Sequence, residues 1–358
     1  MRIITVLNQL VKHTMKSIWI FLSFLCTINS AHGMGYYSDT FDEELNIYSA
    51  RKEALIKPLL DQFSKNTGTK INLITGTGDS LIARLKSEGI YSPADLLLTV
   101  DAGRLYRAER AGLFQPMISK ALSKNIPPHL RSIDDQWFGL SIRARVIVYS
   151  RERVTPDQLS TYEALADARW RKKICVRSSS NIYNQSLVAG MLTSKGIEFT
   201  SAWLEGLVKN FARNPSGGDR DQIKAVAAGE CDIALVNSYY LAGMLSSGDP
   251  VEVAAASNVA LFWPDQNQQG THINISGVGI TKSSSNPGLA TNLIVFLTSD
   301  ESQKWYAQVN NEFPLREDIE LNDILKSWGA FKASQVNVSE LGRQNVAAIK
   351  AMDRAGWK

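Results

Sequence analysis

The chain is short of the residues on which exported hydrolases and zinc enzymes depend. Only four histidines occur in 358 residues, and two of them, His13 and His32, fall in the first 33. The other two are His129, beside Pro127-Pro128, and His272, in an apolar run. Neither sits in a Gly-x-Ser-x-Gly elbow or a His-Glu-x-x-His helix, so a hydrolase reading has no motif behind it. His272 reads as a strand or hinge residue rather than a base. A glycine-rich phosphate loop is also absent, which excludes a nucleotide-driven pump subunit. Charge of one sign is lacking too. The net charge of +4 owes most to Arg2, Lys12 and Lys16, and without the first 33 residues 36 basic side chains face 35 acidic ones. A nucleic-acid-binding surface needs clustered basic excess, so that class is excluded. There is no internal repeat and no low-complexity tract.

Long hydrophobic runs are missing as well. Residues 18–26 are apolar except for Ser23, which falls short of the roughly 20 residues needed to span a bilayer. Preceded by Lys12 and Lys16 and followed by the small-residue site Ala31-His32-Gly33, they have the order of a secretory signal peptide covering 1–33. Met15-Lys16 opens a compact signal by itself, so Met15 is a candidate start codon, and export after deletion of codons 1–14 would support it. Cysteine is scarce, with three in the chain. Cys26 lies in the signal, where Ser23-Phe24-Leu25 lacks the small residue that lipoprotein processing prefers. Cys175 and Cys231 remain, and an oxidising compartment allows them to pair; two independent buried thiols are the other reading.

What is present is an α/β pattern. Strands are expected at 45–48, 70–74 and 94–100, separated by amphipathic helices that Gly68 and Gly89 end. This alternation implies a parallel sheet covered by helices. A strand at 145–149 opens a second set, with strands at 174–176 and 231–236 and helices near 186–192, 202–208 and 222–228. A long apolar strand at 272–280 follows, then helices at 287–298 and 302–309. At about 100–200 residues per domain, the length favours two domains. Two α/β units with a ligand between them describe a bilobal protein.

The residues that carry chemistry are tyrosines. Asn237-Ser238-Tyr239-Tyr240 stands where a strand ends and a helix begins, the place at which open α/β sheets hold ligands. At a helix start neighbouring side chains are about 100° apart, so both phenols reach one point. Tyr183 follows the polar turn Ser178-Ser179-Ser180-Asn181, again ahead of a helix. Tyrosinate is a hard anionic oxygen donor matched to a hard trivalent ion such as Fe(III), and metal coordination lowers the phenol pKa. Packing tyrosines that face water are the plain alternative.

Several stretches, in order along residues 45–315, resemble the periplasmic ferric-ion-binding proteins of ABC iron importers. They include Ile47-Tyr48-Ser49-Ala50-Arg51-Lys52-Glu53, Ser92-Pro93-Ala94-Asp95, the segment from Leu140 to Val146, Gly217-Gly218-Asp219-Arg220-Asp221-Gln222, Asn237-Ser238-Tyr239-Tyr240 and Asn274-Ile275-Ser276-Gly277. The resemblance implies a bilobal periplasmic binding protein fold of type II, with two α/β lobes joined by hinge strands. The first lobe is expected at 34–143 and 272–315, the second at 144–271 and 316–358. It further implies a non-enzymatic, periplasmic receptor in which Tyr239 and Tyr240 bind Fe(III) in the cleft, Tyr183 matching the third tyrosine of a subset. An ABC permease with its ATPase is the implied partner, and a monomer is expected. The sequence departs from the family after the first strand, where Lys52-Glu53 replaces a His or His-Tyr pair, and after the third, where Val100-Asp101 replaces a Glu. The first lobe therefore lacks the usual metal donors. Three tyrosinates neutralise Fe(III) and leave room for carbonate or another small synergistic anion, with Arg51 and Arg143 as its cationic partners and Ser179 and Asn181 assisting from a helix N-terminus; a surface helix position for Arg51 and a structural hinge ion pair for Arg143 are the plain alternatives. Tyr48 and Asp101 approach the cleft without ligating. The alternatives are the same fold binding a polyamine, an organic acid or an oxyanion, and, further off, an exported hydrolase.

Overall fold

The computed structural model describes residues 43–358. The signal at 1–33, Cys26 and the Met15 start lie outside the described residues. Among the described residues no helix is long and apolar enough to cross a membrane.

Among the described residues eight strands form the sheet: β1 (Glu44–Ser49), β2 (Lys70–Thr75), β3 (Leu96–Val100), β4 (Phe138–Ser150), β5 (Ile174–Cys175), β6 (Ile233–Asn237), β7 (Val259–Phe262) and β8 (Ile273–Ile280). Their order is β2-β1-β3-β8-β4-β6-β5, with β7 on β4. β1 pairs in parallel with β2 and β3, as the β-α-β-α-β pattern requires, because each crossover runs through a helix (Lys57–Thr67, then Gly78–Glu88). Gly68 ends the first helix in the left-handed conformation, φ 72°, that glycine adopts without penalty. β3 is buried on both faces, the reason it reads as a continuous apolar run.

The lobes are joined through β4, which is longer than the five residues legible in the sequence. Its first half pairs antiparallel with β8, from Phe138 to Ala144. From Arg145 to Ser150 it pairs instead with β6 and β7 on its two sides. The first half is not legible because Ser141 and Arg143 interrupt the apolar pattern; both are buried polar residues, Arg143 lining the cleft and Ser141 bonded to Glu312 behind it. On the β6 side the pleat sorts side chains onto two cores. Val146 and Val148 with Ala234 and Val236 face one, and Ile147 and Tyr149 with Ile233 and Leu235 face the other, where Trp170, Trp203 and Trp357 pack.

The two helices expected near 186–192 and 202–208 form one element, Ile182–Lys209, broken only at Gly196 (φ 81°, ψ 176°). The helix Pro250–Ser257 and β7 were not legible, being short and without a clear period. The helix Val338–Arg343 reaches across: Gly342 lies so close to Tyr106 of the Ala102–Arg110 helix that a Cβ would fall 2.2 Å from the Tyr106 Cβ. Cys175 and Cys231 are disulfide-bonded, with Cα atoms 5.9 Å apart and a sequence separation of 56. The bond ties β5 to the residues entering β6, beside the two segments that carry the tyrosines.

Candidate metal-binding cleft

Two helix starts deliver the phenols. Asn181 caps the Ile182–Lys209 helix, its side-chain oxygen accepting from the Tyr183 backbone N–H at 3.1 Å. Tyr183 is thereby fixed in the first turn. Fully buried β6 ends at Asn237, and Ser238–Leu245 continues as a helix with Tyr239 and Tyr240 in its own first turn. The Asn237 side chain makes no cap bond. Its Nδ2 donates to the Tyr239 hydroxyl at 3.3 Å, and its Oδ1 accepts from Arg145 Nη1 at 3.1 Å. A residue type suited to capping is thus spent on the site. Tyr239 donates to the Tyr183 hydroxyl at 3.4 Å, and the Tyr239 and Tyr240 rings lie 4.4 Å apart. All three line one cleft of about 440 Å³, together with Arg51, Lys52, Arg143, Arg220 and Glu312.

Helix N-termini favour anions, so the position of these phenols suits the phenolate form. The Arg143 guanidinium adds to this, lying 4.6 Å from the centre of the Tyr239 ring and 5.6 Å from that of Tyr183. Burial alone would raise the Tyr183 phenol, but Arg143 and the hydrogen bond from Tyr239 leave it below the ordinary tyrosine value. Burial drives Tyr239 far upward against the pull of Arg143, and burial with the Tyr183 charge pushes Tyr240 up to about 12. Tyr239 and Tyr240 therefore hold their protons firmly at neutral pH.

Behind the phenols lie two buried ion clusters that the sequence did not reveal. In the first, Arg145 Nη1 pairs with Asp219 at 3.2 Å and Arg145 Nη2 donates to Asn184 Oδ1 at 2.6 Å, while Asp219 accepts from the Asn237 N–H at 3.1 Å. Asp219 belongs to the Gly217–Gln222 stretch noted above, but its role depends on Arg145, 74 residues away. The second is built on Glu312, which accepts from Arg51 Nη1 at 3.1 Å and Arg143 Nε at 3.3 Å, and also from the Ser141 and Ser276 hydroxyls. Burial would raise this carboxyl, but Arg51 and Arg143 hold it below the usual glutamate value. Glu312 follows Asn311, whose φ is 56°, in a loop with no local signal. Arg51 Nε and Nη2 and Arg143 Nη1 are buried without a hydrogen-bond partner.

The other expected residues fall elsewhere. Ser179 and Asn181 are not among the cleft-lining residues: the Asn181 oxygen is occupied as a helix cap, and Ser179 meets the C-terminus through its backbone, donating N–H to the Lys358 carbonyl at 3.3 Å. Tyr48 turns away, donating to Glu88 at 2.9 Å with Arg84 over its ring. Asp101 does approach the site: it caps the Ala102–Arg110 helix, accepts from Ser186 at 2.7 Å and lines a small pocket with Arg143 and Tyr183. His272 is pulled down to about 3 by burial and by Arg145, so it is neutral at physiological pH.

The chain as a whole has known relatives. The family of bacterial extracellular solute-binding proteins matches residues 59–333. The chain belongs to that family. It is 48% identical to iron uptake protein A1 of Synechocystis sp., over 88% of each chain, and 27% identical to the major ferric iron-binding protein of Neisseria meningitidis, over 88% of this chain and 93% of that one. Among solved structures it is similar to Trichodesmium IdiA (FutA) in complex with iron and citrate ligands, at 50% identity and a TM-score of 0.86, covering 88% of this chain and all of the other. The ferric binding protein of Campylobacter jejuni gives 38% identity and 0.83 over the same shares. The fold of this family member is the bilobal periplasmic binding protein fold, and its relatives are transport receptors rather than enzymes.

Proposed function

We propose that the protein is the periplasmic substrate-binding component of an ABC iron importer, exported by its first 33 residues, and that it carries Fe(III) in the cleft on Tyr183, Tyr239 and Tyr240. The observation that carries this reading is the meeting of three phenols at two helix starts, with Arg143 placed over two of them. Three tyrosinates balance the charge of Fe(III), and their hard oxygens suit it. Arg51 and Arg143, each with N–H groups unused by Glu312, would hold a small synergistic anion, carbonate or a carboxylate, in the remaining coordination positions. The lobes 34–143 with 272–315 and 144–271 with 316–358 would close by rotation about β4 and β8. A monomer would then present the ion to the permease and its ATPase. Reopening of the lobes at the permease would release it, each phenolate taking back a proton from water. A polyamine would want acidic walls, and the acid lining this cleft, Glu312, is already paired with two arginines.

The test is optical. Ferric citrate added to the apo-protein should give the visible charge-transfer band of Fe(III)-tyrosinate, weakened and shifted in Tyr239→Phe and in Tyr240→Phe. No band, or one that both substitutions leave unchanged, sinks the assignment.

A further inference from the structure

The carboxylate that stands where a glutamate ligand was expected is held in a strained backbone. Asp101, at the end of β3, has φ 78° and ψ 124°, a left-handed conformation that residues other than glycine adopt only under strain. Capping the Ala102–Arg110 helix does not explain the strain, because glycine caps a helix nearly as well as aspartate. Its two oxygens do more than cap. Oδ1 accepts from the Gly103 N–H at 2.9 Å and from the Ser186 hydroxyl at 2.7 Å, and Ser186 lies about one turn beyond Tyr183 on the same helix. By the lobe boundaries proposed above, Asp101 belongs to one lobe and Ser186 to the other. Oδ2 is buried without a hydrogen-bond partner, and so are Arg143 Nη1, Arg145 Nε and Asn274 Nδ2. These four residues line one small cavity beside Tyr183.

The atoms themselves specify what fits there. The cavity has room for about one water. Three of the atoms are N–H donors and the fourth is a carboxylate oxygen, so the occupant must both accept and donate hydrogen bonds. A monatomic anion has no hydrogen to give Asp101, and a metal ion would face two guanidinium groups. Water accepts from the arginines and donates to the carboxylate. The charges favour the same link. Arg51 and Arg143 share Glu312, and Arg145 and Arg177 share Asp219, so four guanidinium groups touch two carboxylates and Asp101 adds a third beside them. Arg143 also lines the cleft, and its Nη1 carries two hydrogens, enough for this water and for an anion in the cleft. We infer that Asp101 is a positioning residue for the metal site on the opposite wall. Directly through Ser186, and through one buried water to Arg143 and Arg145, it fixes the Tyr183 helix against the guanidinium that stands over the Tyr183 and Tyr239 rings. This rests on the tyrosinate reading above and extends that site to a residue that does not touch the metal.

The experiment compares intact wild type with Asp101→Gly and Ser186→Ala, each loaded with ferric citrate. It reads the charge-transfer band, the rate at which a strong chelator strips the iron, and the denaturant midpoint of the apo-protein. Asp101→Gly relieves the backbone strain, so if Asp101 only capped its helix the midpoint would hold or rise and the stripping rate would not change. The expected result is a displaced band in both variants, with stripping about a hundredfold faster in Asp101→Gly and about tenfold faster in Ser186→Ala, which gives up one of the two charge-assisted links. Stripping by both variants within about twofold of wild type overturns the inference, whatever the midpoints, and leaves the tyrosinate site standing. If Asp101→Gly does not fold, Ser186→Ala decides by the same limits. A crystal structure of the wild type should show one water within hydrogen-bond distance of Asp101 Oδ2 and the arginine N–H groups; a halide there, or no peak, overturns the inference. Absence of the band in the wild type with every ferric source overturns the tyrosinate reading and this one with it.

Discussion

On its β6 side the cleft presents oxygen donors, phenols set in the first turns of two helices and backed by the Arg145–Asp219–Asn237 cluster. On its β1 side it presents Arg51 and Lys52, just before the short 3-10 turn at Glu53–Leu55, backed by Glu312. On the function proposed above, the first wall holds the cation and the second an anion. The difference makes metal affinity and anion affinity separable on that reading: one wall can be altered while the other keeps its counter-charges.

The sharpest way to break that division is to remove phenols. Tyr239→Phe combined with Tyr240→Phe should lower Fe(III) affinity by about a thousandfold or more, since each anionic donor is worth more than a charge-assisted hydrogen bond of about 1.5–3 kcal/mol. Competition against a chelator of known strength measures it, and a loss under tenfold would place the metal on the other wall.

Acidification should follow in size. Tyr239 and Tyr240 are protonated at neutral pH, with Tyr240 pushed up to about 12, so both must release protons when iron binds. Protons therefore compete with the metal, and affinity at fixed free Fe(III) should fall by about a hundredfold or more per unit of pH lowered. A slope near zero between pH 7 and 5 would rule out phenolate ligation.

Asp219→Asn tests the support behind the phenols. It leaves Arg145 buried without its counter-charge, and stability by denaturant titration should fall by about 3–5 kcal/mol. Opening the Cys175–Cys231 loop by Cys→Ser at both positions should cost about 4 kcal/mol, from the 56-residue separation. Tyr48→Phe is the smallest change. It removes the hydroxyl from Glu88 on the far side of β1, about 1 kcal/mol, and should leave the iron band where it was.

Much of the first half of the fold was legible because its residues interact locally. Helix periods, the Gly68 stop and the run of β3 report on neighbours a few positions away. β4 was half hidden because Ser141 and Arg143 look like loop residues until Glu312, roughly 170 positions later in the chain, is placed beside them. The tyrosines were legible as a motif at a strand end. Ser179 and Asn181 looked like anion donors because a polar turn before a helix has that composition. The same composition makes a cap, and Asn181 is used as one.

The sequence by itself determined the α/β class, the export signal as an expectation, and which three tyrosines to weigh, since each rests on short-range patterning. Only the tertiary structure decided that the phenols of Tyr183 and Tyr239, 56 residues apart, meet at 3.4 Å. It also decided that Arg51 and Arg143 share one carboxylate, leaving Lys52 without a partner among the described residues. The physical reason is that charge compensation in a buried cleft is a sum over side chains brought together by the sheet order, and no window of sequence contains its terms.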